Sequence, residues 1–199
     1  MSDSPRRLPV PLLLAGAIAL LILIALLTFA VMRSWDTARD QVSSALIGKS
    51  APTFSLPLLH DPSMEISSTD LAGAPYLLHI WGSWCAACTA EQPVLTQFAL
   101  SKRVRVIGYN WKDRREDALQ WLEQLGNPYL LVVSDAEGKT AIDWGVTTAP
   151  ATFLIDGRGI VRWNHSGALN QDMIEHKLLP ALADIERSPT AAPALHPAP

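Results

Sequence analysis

The chain has two cysteines, and only two residues separate them, at the point where a buried-looking strand gives way to helical spacing. Tyr76-Leu77-Leu78-His79-Ile80-Trp81 is a short apolar run of strand length. Gly82-Ser83-Trp84 follows, and a helix is expected from Cys85 to about Ser101. The pattern then repeats. Val104–Tyr109 is a β-branched strand, and Glu116–Leu125 is a helix with Ala118, Leu119, Leu122 and Leu125 on one face, closed by Gly126 and Pro128. Leu130–Val133 is a buried strand, and Thr140–Trp144 makes one helical turn. Thr152–Asp156, Gly157-Arg158-Gly159 and Ile160–Trp163 read as a hairpin. The last helix spans about Gln171–Ile185, with a kink expected at Pro180. This order predicts an α/β fold with a central mixed sheet: parallel strands with right-handed crossovers first, then an antiparallel hairpin.

Placed at the start of a helix, Cys85 faces unpaired N–H groups and the positive end of the helix dipole. Both favour a thiolate, the nucleophilic form of cysteine. Cys88 lies one turn on, where it can resolve a mixed disulfide. A purely structural bridge closing so small a loop removes little chain entropy. A closed zinc site needs four ligands, and His60, His79, His165, His176 and His196 show no matching spacing; neither a metal nor another cofactor is expected. Ala86-Ala87 adds no charge or donor to hold a thiolate, and Glu91 falls on the cysteine face of the helix. A carboxylate near the sulfurs works against thiolate, so both features point toward a reductant. An exposed helix charge is the competing reading of Glu91.

The rest of the chain is appended to this domain. No charged residue occurs from Leu8 to Met32, and the apolar stretch from Pro11 runs 22 residues. As a helix it would span about 33 Å, enough for a hydrocarbon core of roughly 30 Å. It exceeds a signal-peptide apolar region, and its exit, Phe29–Arg33, lacks a small-residue cleavage pattern. The expected organisation is a cytoplasmic tail at 1–10, a transmembrane anchor at 11–32, a polar linker at 33–50, the folded domain at 51–187 and a disordered tail at 188–199. That tail has four prolines in twelve residues. Arg6 and Arg7 before the run and Arg33 and Arg39 after it nearly balance, so the expected orientation rests on the shortness of the N-terminal tail: an N-in, C-out single pass through the inner membrane, with the domain on the periplasmic side. A net charge of −3 gives no basic face for nucleic acid.

The motif Trp81-Gly82-Ser83-Trp84-Cys85-Ala86-Ala87-Cys88 resembles a thioredoxin-fold active site. Ser44–Pro52, Asn110-Trp111-Lys112-Asp113, Leu125–Tyr129 and Gly145–Asp156 extend the resemblance to the DsbE/CcmG family of thiol:disulfide interchange proteins over about residues 44–180. The resemblance implies a thioredoxin-like fold and a protein-disulfide reductase of cytochrome c maturation. Its substrate would be apocytochrome c or a partner thiol protein, and a DsbD-type transmembrane donor would re-reduce it. It implies Cys85 as nucleophile, Cys88 as resolving cysteine, Glu91 as an active-site acid, and Pro150 as the cis-proline beside them. Trp84, Ala149 and Pro150 would touch substrate, with Trp111, Trp121, Trp144 and Trp163 as packing aromatics.

The chain departs from the family where Ala151 stands in place of the usual Glu, and at Thr147, often Tyr. His79 occupies the position of thioredoxin's buried Asp; a hydrogen-bonded core histidine is the simpler reading, a proton relay to Cys88 the other. Two other functions fit the same residues: a general periplasmic disulfide reductase or oxidase, and a non-enzymatic metal- or haem-binding chaperone.

Overall fold

The computed structural model describes residues 14, 16, 18–30 and 45–187. It forms two units, Met1–Arg39 and Asp40–Pro199. In the first, residues 18–30 are helical and exposed. Among the described residues no helix is long and apolar enough to cross a membrane. The ends of the expected anchor, residues 33–44 of the linker, and both terminal tails lie outside the described residues.

The second unit is built on a five-stranded mixed sheet. Its strands are β3 (Tyr76–Trp81), β4 (Arg105–Trp111), β5 (Leu131–Asp135), β6 (Ala151–Ile155) and β7 (Val161–Ser166), ordered β5-β4-β3-β6-β7. β3, β4 and β5 run parallel, while β6 and β7 pair antiparallel, as the crossover-then-hairpin pattern predicts. A separate antiparallel pair, β1 (Ser55–Pro57) with β2 (Glu65–Ser67), precedes them. Sequence reading missed it, because three-residue strands show no usable alternation and Pro57 is disfavoured in a strand.

The side chains of β3 alternate between two dry clusters. Leu77 and Trp81 join Cys85, Cys88, Leu95 and Phe98, with Trp121 and Leu122 of α2 (Arg115–Leu125) and Ile174, Leu178 and Leu182 of the C-terminal helix. Tyr76, Leu78 and Ile80 join Ile107, Tyr109, Val133, Trp144 and Phe153 on the opposite face. Phe54 and Leu56 of the N-terminal hairpin close that side.

α1 (Ala86–Leu100) buries Cys88, Glu91, Gln92, Leu95 and Phe98 at helical spacing, so one face carries both sulfur and carboxylate. Cys85 is its N-cap rather than its first helical residue. In α2 the buried face is Ala118, Trp121 and Leu122; Leu125, expected there, is 40% exposed at the C-terminal end. The C-terminal helix α3 begins as Gln171–Met173, passes through a π turn at Ile174–Leu178 and finishes as Leu179–Arg187. The expected disruption at Pro180 takes the form of that π turn. In an α-helix the Pro180 ring would meet the carbonyl four residues back; the wider turn just before it re-pairs the backbone, with Leu179 N–H bonded to the Ile174 carbonyl.

Candidate redox site

The site stands where β3 hands over to α1. Cys85 and Cys88 form a disulfide. Cys85 takes an extended conformation, and its Sγ accepts a hydrogen bond from the Cys88 N–H at 3.1 Å. That N–H is one of the donors a helix start leaves unpaired, so the helix aims a donor at the first sulfur. Both cysteines are buried, at 4% and 1% exposure. The adjoining Trp84 is 52% exposed and, with the exposed Ala86 and Ala87, forms the surface of the motif.

The Gly82-Ser83-Trp84 loop is gripped from the end of β4. The Asp113 carboxylate accepts from the Ser83 N–H at 2.6 Å, the Ser83 hydroxyl at 2.7 Å, the Asn110 amide at 2.9 Å and the Arg114 N–H at 2.9 Å. The Trp84 indole N–H donates to the Lys112 carbonyl at 2.9 Å. Lys112 reaches this position at φ 49°, a left-handed conformation uncommon outside glycine. Its ammonium lies over the Trp111 ring, 4.6 Å from the centroid. The segment Asn110–Asp113, part of the family resemblance, holds the residues ahead of Cys85.

On the other side, the Ala149–Pro150 peptide is cis, as the resemblance implies. The Pro150 carbonyl accepts from the Gly167 N–H at 2.8 Å. Ala151 is buried in the cluster opposite the disulfide and pairs with Ile80.

Beneath the disulfide lies a polar network. Glu91 is 2% exposed, which removes the reading of an exposed helix charge. Its Oε1 lies 2.9 Å from His79 Nε2, and its Oε2 accepts from the Leu169 N–H at 2.5 Å. His79 Nδ1 lies 3.0 Å from the Tyr129 hydroxyl, and the two rings stack at 5.9 Å. Burial, and then the charge of Glu91, hold the Tyr129 phenol well above its ordinary pKa, so it keeps its proton. The phenol can therefore donate to Nδ1, an arrangement that puts the imidazole proton on Nε2, facing the Glu91 carboxylate. His79 is thus a hydrogen-bonded core histidine, with two specific partners. In the sequence Tyr129 carries no signal beyond its place in the Leu125–Tyr129 segment.

The room for Tyr129 comes from Gly108, the register neighbour of His79 on β4. A β-carbon at Gly108 would sit 2.8 Å from the Tyr129 ring, inside any real contact distance. Trp81 extends the stack, 5.7 Å from Tyr129 and 4.6 Å from Trp121. Among the described residues no group of three His, Cys, Asp or Glu side chains is placed to hold a metal ion.

This geometry can form and break one disulfide beside an exposed aromatic surface and above a buried carboxylate. The comparisons with known proteins agree with that chemistry. The Redoxin family model matches residues 46–181. The chain is 83% identical over 199 residues, the whole of both chains, to the thiol:disulfide interchange protein DsbE of Xylella fastidiosa (strain Temecula1 / ATCC 700964). It is 41% identical over 171 residues to DsbE of Escherichia coli (strain K12), covering 82% of this chain and 92% of that one. A solved structure from Chlorobium tepidum, described as a candidate DsbE, superposes with a TM-score of 0.60 at 30% identity. That alignment covers 68% of this chain and 97% of the other. The chain belongs to the Redoxin family and, within it, to the DsbE-type thiol:disulfide interchange proteins, thiol–disulfide oxidoreductases whose redox-active disulfide here is Cys85–Cys88.

Proposed function

We propose that this oxidoreductase works as a reductant, anchored in the inner membrane with its domain on the periplasmic side, during cytochrome c maturation. Cys85 attacks a disulfide of apocytochrome c or of a partner thiol protein, and Cys88 resolves the mixed disulfide. A DsbD-type transmembrane donor then returns two electrons to the pair. Trp84, Ala149 and Pro150 form the substrate surface. The ring of Trp84 supplies exposed apolar area, and the main chain beside Pro150 supplies hydrogen-bonding groups. The Pro150 carbonyl is bonded to the Gly167 N–H at 2.8 Å, while that of Ala149 takes the Thr148 hydroxyl at a longer 3.4 Å, so Ala149 is the main-chain partner for an extended substrate segment.

The observation that carries the direction of electron flow is the burial of Glu91 one turn after Cys88, with both oxygens taken by N–H donors. An anionic carboxylate on that face works against a second negative charge on sulfur. Strong oxidants owe their power to a stabilised reduced form, and Ala86-Ala87 offers no cation to supply it. The 22-residue apolar run supports the anchor. Anchoring would also raise the local concentration of the domain near a membrane-bound donor.

The test is the equilibrium potential of the Cys85–Cys88 couple, measured by redox titration of the full chain. A value near thioredoxin's ~−270 mV is expected; one near the ~−120 mV of the strong oxidants would reverse the direction.

A further inference from the structure

Cys88 has a proton to lose before it can resolve a mixed disulfide, and at 1% exposure it has no direct contact with bulk water. The buried ionisable groups on its side of the sheet are few. α1 contributes Cys85, Cys88 and Glu91, with Glu91 three residues on and therefore a neighbour of Cys88 on the helix surface. β3 contributes His79, and the loop before β5 contributes Tyr129. The register neighbours of His79, Gly108 on β4 and Thr152 on β6, carry no charge. His165, one strand further, is half-buried and stacks on Trp163 at 6.1 Å. The charged side chains of α2 and α3 are exposed. Asp113, the buried carboxylate that braces the loop, is filled by its own donors.

We infer that His79, oriented by Tyr129, is a positioning residue that holds the Glu91 carboxylate as the acceptor of the Cys88 proton. The two hydrogen bonds to Glu91 do different work. The Leu169 N–H belongs to the main chain and cannot move its proton away. The His79 Nε2–H has its orientation set by the phenol on the far side of the ring. Together they hold the carboxylate in one pose.

The exchange step balances as follows. Cys85 thiolate attacks one sulfur of the target disulfide, forming a mixed disulfide and releasing the first target thiolate. The Cys88 S–H gives its proton to Glu91. The resulting thiolate attacks Cys85 Sγ, which forms the Cys85–Cys88 bond and releases the second target thiolate. Two electrons have passed to the target. The target thiolates take their protons from water, and Glu91 releases its proton to water as the target departs. In the reverse direction Glu91 returns a proton to Cys88. This role belongs to exchange itself and holds whichever way electrons flow, so failure of the potential measurement above would leave it standing.

The test uses the reduced full chain and 5,5′-dithiobis(2-nitrobenzoate). The probe releases one thiolate when Cys85 attacks and a second when Cys88 resolves. In His79→Asn the shorter amide cannot reach Glu91. The second release should slow about tenfold, and the midpoint of its pH profile should rise by about one unit, as loss of one hydrogen bond to a charged group implies. The first release should be unchanged. In His79→Gln the amide N–H stands near the Nε2 position, and the second release should return to within about twofold of the parent. A folded His79→Asn with the parent's second phase overturns the inference. So does a His79→Gln as slow as His79→Asn, since packing rather than the donated bond would then be responsible. Should His79→Asn fail to fold, Tyr129→Phe decides. It keeps the ring and removes the donor that orients His79, and a second phase slowed about threefold is expected. A second phase equal to the parent's would overturn the inference.

Discussion

The two faces of the central sheet each bury a carboxylate hydrogen-bonded in a chain with a tyrosine, and the two carboxylates are held differently. Opposite the disulfide, Asp135 accepts from the Tyr109 hydroxyl at 2.8 Å and from the N–H groups of Lys139, Thr140 and Ala141 at 3.0–3.1 Å. Three of its four donors are main chain, so the carboxylate fixes the turn after β5, and the fourth, the Tyr109 phenol, holds its proton because burial raises its pKa. Beneath the disulfide, Glu91 has one main-chain donor and one titratable donor, His79, with the phenol one step removed. The arrangement on one face builds structure. On the other face the same kinds of group leave a proton-transfer route open, at the cost of fewer fixed bonds.

The comparison breaks most visibly at Asp135. Asp135→Ala strands four donors in a buried site and should lower stability by about 3 kcal/mol or more, read by urea unfolding. Thiol exchange by the folded variant should stay at the parent rate; a slowed exchange would mean that the two faces are coupled. Glu91→Gln comes next. An amide offers one acceptor oxygen where the carboxylate offers two, so its NH2 group would face one of the two N–H donors and stability should fall by about 1–2 kcal/mol. Here, in contrast, the release of thiolate by Cys88 should slow as well. The smallest effect is alkaline. Burial raises the pKa of both phenols; next after burial, the hydrogen bond to Asp135 adds to the rise at Tyr109 and the charge of Glu91 at Tyr129. A phenol whose folded pKa is raised keeps its proton longer in the native state than in the unfolded chain. Its stabilising contribution is complete below about pH 10 and falls as pH rises above that toward the folded value. Tyr109→Phe and Tyr129→Phe should each flatten the loss of stability above pH 10, measured by thermal melts.

What could be read in the sequence was local. The Cys85–Cys88 spacing, the strand before it and the helix after it all fall within one stretch, where periodicity and capping rules operate. The hairpin from Ala151 to Ser166 was legible for the same reason. Glu91 was placed correctly on the cysteine face, but whether it was exposed depended on what packs over α1. Glu91 and Tyr129 lie 12 and 50 positions after His79. They meet only because β3, α1 and the loop before β5 converge on one face, and no spacing rule announces that. Tyr129 carried no signal beyond its place in a family segment. The Asp113 brace was hidden likewise, since its partners lie 30 positions back.

Gly108 carries a consequence of a different kind. The network beneath the disulfide exists because position 108 contributes no side chain to it, and the phenol of Tyr129 occupies the space a β-carbon would claim. A lineage can therefore lose the His79–Tyr129 contact without altering a single polar atom, by one methyl group on a neighbouring strand. Inheritance of the network is recorded at a residue that takes no part in its chemistry. Any relative to which this wiring is attributed should be asked first what stands at the position of Gly108, and only then whether it keeps the histidine and the tyrosine.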